Sequence, residues 1–289
     1  MSDSPDFIPT VFLVLPHYGP VEMGAAMGFF CPTKQRDLRV FGPAFASNSL
    51  TPNCFNTLMV EVLNAYDQGL VTHVAMLHSD VCPRAGLPWL DVLWCEMRRC
   101  GLDLISNVIA VKEPEEFDDP PTSTAIGDPD DEWVVTKRLR VSDIRRTPGT
   151  FTAEDVCLPG EELLVNTGMW LADLRHQAWR DFPGFQIHTR LDKDHEGRRI
   201  AQCRPEDWEM SRWLGRRGVR IGATWAVEVK HMGPMGWSNR PRGERPLSRP
   251  SANPGRPASS PSSANGCPTP EPTPSSPSRP LAAPVPIPT

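Results

Sequence analysis

The sequence predicts an α/β fold in which a mostly parallel central sheet is flanked by helices. Two apolar runs, Thr10–Leu15 (TVFLVL) and Val74–Leu77 (VAML), have the composition of buried strands. Between them, apolar residues recur at helical spacing from Phe55 to Tyr66. A strand, a helix and a second strand in succession are typical of a parallel sheet covered by helices.

The other predicted elements follow from similar patterns and from the residues that begin and end helices. Thr51 followed by Pro52 marks a helix start with Thr51 as the N-cap, and Gly101 marks a helix end. In chain order we predict a strand at Leu38–Phe41, a helix from Thr51 to near Gly69, a helix at Leu87–Cys100, a strand at Asp103–Val111, a strand leading from Glu161 into Asn166, a helix from Glu206 to near Gly218, and one or two strands at Val219–Val229.

Two charged stretches are predicted to lie in solvent. The region Glu113–Glu132 contains nine acidic residues and four prolines, which indicates a loop beside the site that would disfavour an anionic acceptor. Arg212 and Arg216 are one helical turn apart, and this spacing indicates a solvated helix face rather than a phosphate clamp.

The end of the chain differs in composition from the rest. Pro241–Thr289 holds 15 of the 33 prolines and no aromatic residue, so it lacks the apolar surface that would offset chain entropy. We therefore predict a disordered Pro/Ser-rich tail at residues 239–289 and one folded domain at residues 8–238. Residues 241–289 carry five Arg and two Glu, and subtracting that +3 from the net charge of −5 leaves −8 for residues 1–240. An acidic domain argues against nucleic-acid binding.

The chain has no predicted export or membrane segment. Residues Met1–Asp6 are polar and acidic, unlike the basic start of a signal peptide, and the apolar run Val11–Leu15 is too short to span a bilayer. The eight cysteines form no C-x-x-C pair, so we expect reduced thiols rather than a zinc site. These features predict a cytoplasmic protein.

Polar residues follow both predicted strands of the first half. His78, Ser79 and Asp80 come directly after the strand at Val74–Leu77, and Pro16, His17 and Tyr18 follow the first strand. In an α/β sheet, ligands bind beyond the carboxyl ends of the strands. Tyr18 and His17 have side chains that stack on a nucleobase and hydrogen-bond to it, although an ordinary turn is an alternative. Asp80 has the alternative role of a helix cap.

Further polar residues appear in the second half of the chain. They are an N-T-G segment at Asn166–Gly168, an E-D-W segment at Glu206–Trp208 and His231 within H-M-G. Asp207 alone is explained by a favourable position at a helix N-terminus, and His231 alone by a surface histidine.

The order of these segments resembles the GT-A-fold glycosyltransferases, in particular the family-2-like enzymes, over about Thr10 to Gly233. The resemblance implies a Rossmann-like GT-A domain, with a donor half at about residues 8–111 and an acceptor half at about 112–238. It implies donor binding by Pro16, His17, Tyr18, His78, Ser79 and Asp80, acceptor binding by Asn166, Gly168 and Trp208, a catalytic base at Asp207 beside Glu206, and metal ligation by Asp80, His231 and His78.

The chain departs from that family at His78, where a carboxylate is usual. A site with one carboxylate and one or two imidazoles suits Mn²⁺ better than Mg²⁺, which prefers oxygen ligands. The resemblance thus implies a metal-dependent glycosyltransferase, inverting in preference to retaining, that moves a sugar from a nucleoside diphosphate to an acceptor hydroxyl.

Two alternatives stay open. A nucleotidyltransferase would carry a basic, Gly-rich phosphate loop after the first strand, but Pro16–Pro20 contains neither Lys nor Arg. The second alternative is a degenerate GT-A domain that binds a glycan or a nucleotide without turnover, and His78 is the feature that favours it.

Overall fold

The computed structural model describes residues 7–34, 38–112 and 118–233, together with the backbone of residues 236–238. The predicted tail at 239–289 lies outside the described residues. The strands are β1 (Thr10–His17), β2 (Arg39–Ser47), β3 (His73–Leu77), β4 (Val81–Pro83), β5 (Leu104–Asn107), β6 (Pro121–Gly127), β7 (Val135–Arg140), β8 (Thr150–Thr152), β9 (Glu162–Leu164), β10 (Met169–Asp173), β11 (His188–Lys193), β12 (Arg199–Arg204), β13 (Ile221–Thr224), β14 (Val229–Met232) and β15 (Gly236–Ser238). The helices are α1 (Met23–Phe30), α2 (Thr51–Asp67), α3 (Trp89–Cys100), α4 (Val141–Ile144), α5 (Ala153–Val156) and α6 (Glu206–Gly215), with a 3-10 helix at Gln177–Asp181.

Seven strands form the central sheet in the order β2-β1-β3-β10-β5-β13-β8. The pairs β1–β2, β1–β3 and β5–β13 are parallel, whereas β10 is antiparallel to both β3 and β5, and β8 is antiparallel to β13. Five strands therefore run in one direction and two in the other. The predicted α/β fold with a mostly parallel sheet is confirmed.

Hydrophobic clusters cover both faces of this sheet. One cluster contains residues of α2 and α6, such as Phe55 and Met210, and the other contains residues of α1 and α3, such as Phe29 and Trp94. Side chains alternate between the faces of a strand, so Val74 belongs to the first cluster and Ala75 to the second. The predicted covering by helices is confirmed as well. Among the helices that the structure describes, none combines the length and the apolar character needed to cross a bilayer.

The helix boundaries agree closely with the predicted ones. Helix α2 begins at Thr51 with Pro52 in its first turn, although the N-cap is Leu50 rather than Thr51. Helix α3 ends at Cys100, and Gly101 follows with a φ of 63°, a left-handed conformation that glycine adopts without strain.

Helix α1 has no counterpart among the predicted elements. Its sequence, MGAAMGFF, is apolar at every position, so it shows no contrast between a buried and an exposed face. Strand β1 also differs, because it continues through Pro16 and His17, where the sequence predicts a break.

Two predictions of solvent exposure are wrong. Within the acidic region Glu113–Glu132, Pro121–Gly127 forms β6, which pairs with β7 and β9 in a separate three-stranded sheet. Its Thr122 side chain is buried and donates a hydrogen bond to the carbonyl of Leu139 at 2.8 Å. The β-branched and apolar core of this stretch outweighs the acidic residues on either side of it.

Arg212 is the second such residue, with a side chain only 4 % exposed. Its Nη1 donates to Glu162 at 2.8 Å and to the carbonyl of Asp128 at 3.0 Å. Arg216 lies on the same side of α6, as its spacing predicts, and donates to the other oxygen of Glu162 at 2.8 Å. A buried guanidinium is stable here because a carboxylate and a carbonyl replace its water.

Candidate functional site

The polar residues after β3 form a tight turn at the carboxyl end of the sheet. The backbone N–H of His78 donates to the carbonyl of Gly168 at 2.8 Å, and the N–H of Val81 donates to the carbonyl of His78 at 3.1 Å. The carbonyl of Ser79 accepts from the N–H of Glu22 at 2.9 Å, just before α1. These bonds fix the turn that carries Asp80 between β3 and β4.

The ends of β1 and β3 line one cleft because the two strands are parallel neighbours. The cleft has a volume of about 210 Å³ and an open mouth at Tyr18, whose side chain is 77 % exposed. It brings together all six predicted donor-binding residues, namely Pro16, His17, Tyr18, His78, Ser79 and Asp80. The structure adds four lining residues that the sequence did not indicate: Asn48, Thr51, Cys54 and Phe55.

His231 reaches Asp80 through a second, smaller sheet. Strand β14 pairs with β4 so that His231 lies opposite Val81, and the N–H of Met232 donates to the carbonyl of Asp80 at 2.8 Å. The Nε2 atom of His231 is 3.4 Å from Oδ2 of Asp80. Two residues 151 positions apart in the sequence are therefore neighbours at this edge.

The tautomer of His231 follows from its other nitrogen. Nδ1 lies 2.8 Å from the carbonyl oxygen of Ala110, which can only accept, so Nδ1 carries the hydrogen. The other ring nitrogen, Nε2, faces the Asp80 carboxylate. Histidines that bind metals commonly donate their second ring N–H to a backbone carbonyl in this way. A cation between the two residues would take Oδ2 of Asp80 and Nε2 of His231 as ligands.

Lys112 is a functional candidate that the sequence analysis missed. Its Nζ lies 2.5 Å from Oδ2 of Asp80, the same oxygen that faces His231. Burial raises the pKa of Asp80, but the hydrogen bond and charge of His231 and the hydrogen bond of Lys112 outweigh it and hold that pKa well below its ordinary value. The only signal in the sequence was the position of Lys112 directly after the predicted strand Asp103–Val111.

His78 lies deeper in the same turn. Its ring packs against Phe55 at a centroid distance of 5.0 Å, and its Nε2 is buried without a hydrogen-bond partner among the described residues. Burial lowers the pKa of His78 to about 4, against the opposing effect of Asp80, so the ring is neutral at pH 7. Over residues 7–34, 38–112 and 118–233, no three His, Cys, Asp or Glu side chains form a group that could hold a metal. Within these ranges, a cation between Asp80 and His231 would have no third side-chain ligand of these types.

The acidic segment Glu206–Trp208 forms the first turn of α6. Oδ1 of Asp207 accepts from the N–H of Trp208 at 2.8 Å. Burial, assisted by the neighbouring charge of Glu206 and opposed by that of Arg138, raises the pKa of Asp207 to about 8. Burial also raises the pKa of Glu206. A carboxyl group with a pKa in this range is a strong base once it ionises.

Trp208 is held on both its edge and its face. Its Nε1 donates to the carbonyl of Ser123 at 3.1 Å, and the guanidinium of Arg138 lies 5.1 Å from the ring centroid. Ser123 in turn donates from its N–H to the carbonyl of Ile109 at 2.9 Å. Because Ala110 accepts the hydrogen bond of His231, the start of α6 and the Asp80–His231 pair are both attached to the same segment.

The predicted acceptor residues of the N-T-G segment lie inside the protein. Asn166 donates from Nδ2 to the carbonyl of Asn107 at 2.7 Å, and its Oδ1 accepts from the N–H of Gly168 at 2.9 Å. A Cβ atom on Gly168 would lie 2.4 Å from Cδ1 of Ile109, so any larger residue would force the Ile109 side chain to move. The segment supports the turn at His78, and its role in acceptor binding stays a prediction.

No protein-family model and no curated protein matches the chain. Among solved structures, A197 from STIV shows 13% identity with a TM-score of 0.44, over 78% of this chain and 86% of that one. A protein from Entamoeba histolytica named as a UDP-N-acetylglucosamine pyrophosphorylase shows 8% identity with a TM-score of 0.33, over 75% of this chain and 73% of that one. Both TM-scores lie below 0.5, so neither similarity assigns a function to this chain.

Proposed function

We propose that the cleft binds a nucleoside-diphosphate sugar with a divalent cation and that the protein transfers the sugar to an acceptor hydroxyl, as a GT-A-like glycosyltransferase. The observation that carries this proposal is the Asp80–His231 pair. Nε2 and the carboxylate oxygen face each other at 3.4 Å, beside a cleft that opens at the ends of two parallel strands.

Asp80 and His231 would hold the cation through Oδ2 and Nε2. Two protein ligands suffice when the phosphates of a nucleotide and water complete the coordination shell, as is common for Mg²⁺ sites. The imidazole nitrogen favours Mn²⁺ over Mg²⁺. A bound cation would act as a Lewis acid on the departing diphosphate.

The cleft residues would position the nucleoside. The exposed ring of Tyr18 offers a face on which a base can stack, and such stacking is worth about 1–3 kcal/mol per base. The neutral His78, with Nε2 unpartnered among the described residues, has a nitrogen available for a polar group of the donor. His17 lines the same cleft, and its Nδ1 donates to the carbonyl of Gly19 at 3.1 Å.

Asp207 is the proposed base. Once ionised, its carboxylate removes the proton of the acceptor hydroxyl as that oxygen forms a bond to the anomeric carbon and the bond to the diphosphate breaks. The raised pKa of Asp207 makes its ionised form a stronger base than an ordinary aspartate. The charge of the neighbouring Glu206 contributes to the raised pKa of Asp207. A base on the acceptor hydroxyl is what an inverting transfer requires.

Nucleotide binding measured by calorimetry tests the donor site directly. We expect UDP or GDP to bind the wild-type protein in the presence of Mn²⁺ and to lose at least about tenfold in affinity when the metal is omitted. Asp80→Asn removes the carboxylate charge with little change in shape and should abolish the effect of the metal.

The control for this variant is Asp192→Asn. Asp192 is also ion-paired, with Arg190 at 2.8 Å, and its side chain is exposed to a similar degree as that of Asp80, 42 % against 36 %. It lies on the hairpin strand β11 and should leave nucleotide binding unchanged. If Asp80→Asn and Asp192→Asn bind nucleotides equally with and without Mn²⁺, the proposed donor site is wrong.

A second function is favoured by the ion pair between Lys112 and Asp80. If the ammonium group permanently replaces a metal, the domain binds a nucleotide or glycan without turnover. Hydrolysis of the nucleotide sugar separates the two functions, because a glycosyltransferase releases the sugar slowly to water in the presence of Mn²⁺, whereas a binding module leaves the donor intact.

A further inference from the structure

The ammonium group of Lys112 and a bound divalent cation would compete for one oxygen atom at this site. Oδ2 of Asp80 accepts from Lys112 Nζ at 2.5 Å and faces His231 Nε2 at 3.4 Å. A divalent cation bound between Asp80 and His231 would use this same oxygen. The ammonium of Lys112 would then lie beside a doubly charged ion, and like charges at such a separation repel strongly.

The charges of the site balance only in the metal-free state. Lys112 and Asp80 neutralise each other in an ion pair. A divalent cation would leave an excess of two positive charges. A diphosphate supplies the missing negative charge, and an ammonium group binds phosphate oxygens as a point charge.

Lys112 has the freedom that such an exchange requires. Its side chain is 29 % exposed, and its only hydrogen bond among the described residues is the one to Asp80. The four-carbon stem can rotate its head group away from the carboxylate without moving the backbone.

We propose that Lys112 neutralises Asp80 in the free protein and moves to the diphosphate of the donor when a divalent cation takes its place on Oδ2. This inference rests on the proposed function, because it assumes that the cleft binds a nucleoside diphosphate with a metal. In this proposal Lys112 binds the donor diphosphate, and it competes with the cation for Asp80 when no donor is bound.

The exchange predicts that removal of the ammonium group changes two affinities in opposite directions. In Lys112→Met, Mn²⁺ alone should bind about tenfold more tightly, since its competitor for Asp80 is gone. In the presence of saturating Mn²⁺, UDP or GDP should bind about tenfold more weakly, since a charged hydrogen bond to the diphosphate is lost. A residue with a merely structural role would weaken both.

The experiment measures Mn²⁺ binding by electron paramagnetic resonance and nucleotide binding by calorimetry on the full chain. The control is Lys137→Met, because Lys137 forms a similar ion pair with Asp143 at 2.8 Å on β7 and should leave both affinities unchanged. Circular dichroism verifies that both variants fold.

The outcomes separate this inference from the function on which it rests. If the wild-type protein binds no UDP or GDP with Mn²⁺, the proposed function fails and the exchange fails with it. If wild type binds nucleotide with Mn²⁺ but the two affinities of Lys112→Met do not move in opposite directions, the exchange alone is wrong.

Discussion

Substitution of Asp207 by asparagine should stabilise the protein while it removes the proposed base. Asp207 lies in the first turn of α6, where burial and the charge of Glu206 raise its pKa to about 8, partly offset by Arg138. In the unfolded chain the group returns to its ordinary pKa of 3.8. The folded state therefore binds the proton more tightly than the unfolded state does.

The sign of the pH dependence follows from this difference. The stabilising contribution of the protonated carboxyl is fully present below about pH 4 and is lost as the pH rises through about 8. A shift of this size corresponds to at most about 6 kcal/mol. Because Asp207 is only partly buried, solvent screens part of this effect, and we expect a contribution of about 2 kcal/mol to the free energy of unfolding. The helix dipole favours the ionised form by only about 0.5 kcal/mol and does not reverse the sign.

Urea denaturation at two pH values tests this prediction. Near pH 8.5, Asp207→Asn should raise the free energy of unfolding by about 2 kcal/mol, and at pH 4 it should leave it unchanged. Asp192→Asn, on the exposed hairpin, should have no effect at either pH. In the same variant, sugar transfer should fall by at least about a hundredfold, the usual contribution of a general base.

The activity profile provides a second measurement on the same group. We expect kcat/KM of the wild type to rise with pH up to about 8. Glu206→Gln removes a negative charge beside Asp207, so it should lower the pKa of Asp207 and move the rising limb to lower pH. The reasoning is refuted if Asp207→Asn destabilises the protein at high pH, or if the limb of Glu206→Gln moves upward.

Two further predictions concern the packing that positions the site. Glu162→Gln should lower the free energy of unfolding by about 3 kcal/mol in urea titrations, because it leaves the buried Arg212 without its carboxylate. Arg216→Met removes a half-exposed partner of the same carboxylate and should lower the free energy of unfolding by less than about 1 kcal/mol. Equal losses in the two variants would contradict this prediction. Gly168→Ala should cost about 2 kcal/mol, because the new Cβ would lie 2.4 Å from Cδ1 of Ile109. The double variant with Ile109→Val, which lacks Cδ1, should recover most of that loss in thermal melts, and an absence of recovery would show that another contact is responsible.

Much of the fold could be predicted because its signals are local. The strand at Val74–Leu77 is an unbroken apolar run, and helix α3 ends where Gly101 supplies a left-handed residue. The position of the cleft could be predicted from these local signals as well. Once β1 and β3 are parallel neighbours, the residues after their carboxyl ends must meet, and Tyr18 and Asp80 do.

Other parts of the fold could not be predicted because their local signals mislead. Helix α1 shows no amphipathic pattern, and the acidic residues on either side of β6 outweigh the strand signal between them. The sequence indicates a surface position for Arg212, but in the structure Glu162 on β9 forms an ion pair with it. Burial of a charge depends on the partner that the fold supplies, which local sequence does not contain.

The sequence by itself determined the fold class, the turn that carries Asp80 and six residues of the cleft, since each depends on neighbours along the chain. The tertiary structure decided which groups share the carboxylate of Asp80. His231 reaches it through the pairing of β14 with β4, and Lys112 reaches it from the segment after β5. Contacts between distant segments are selected by the packing of the whole domain, so no local pattern specifies that an imidazole and an ammonium group meet at one oxygen atom.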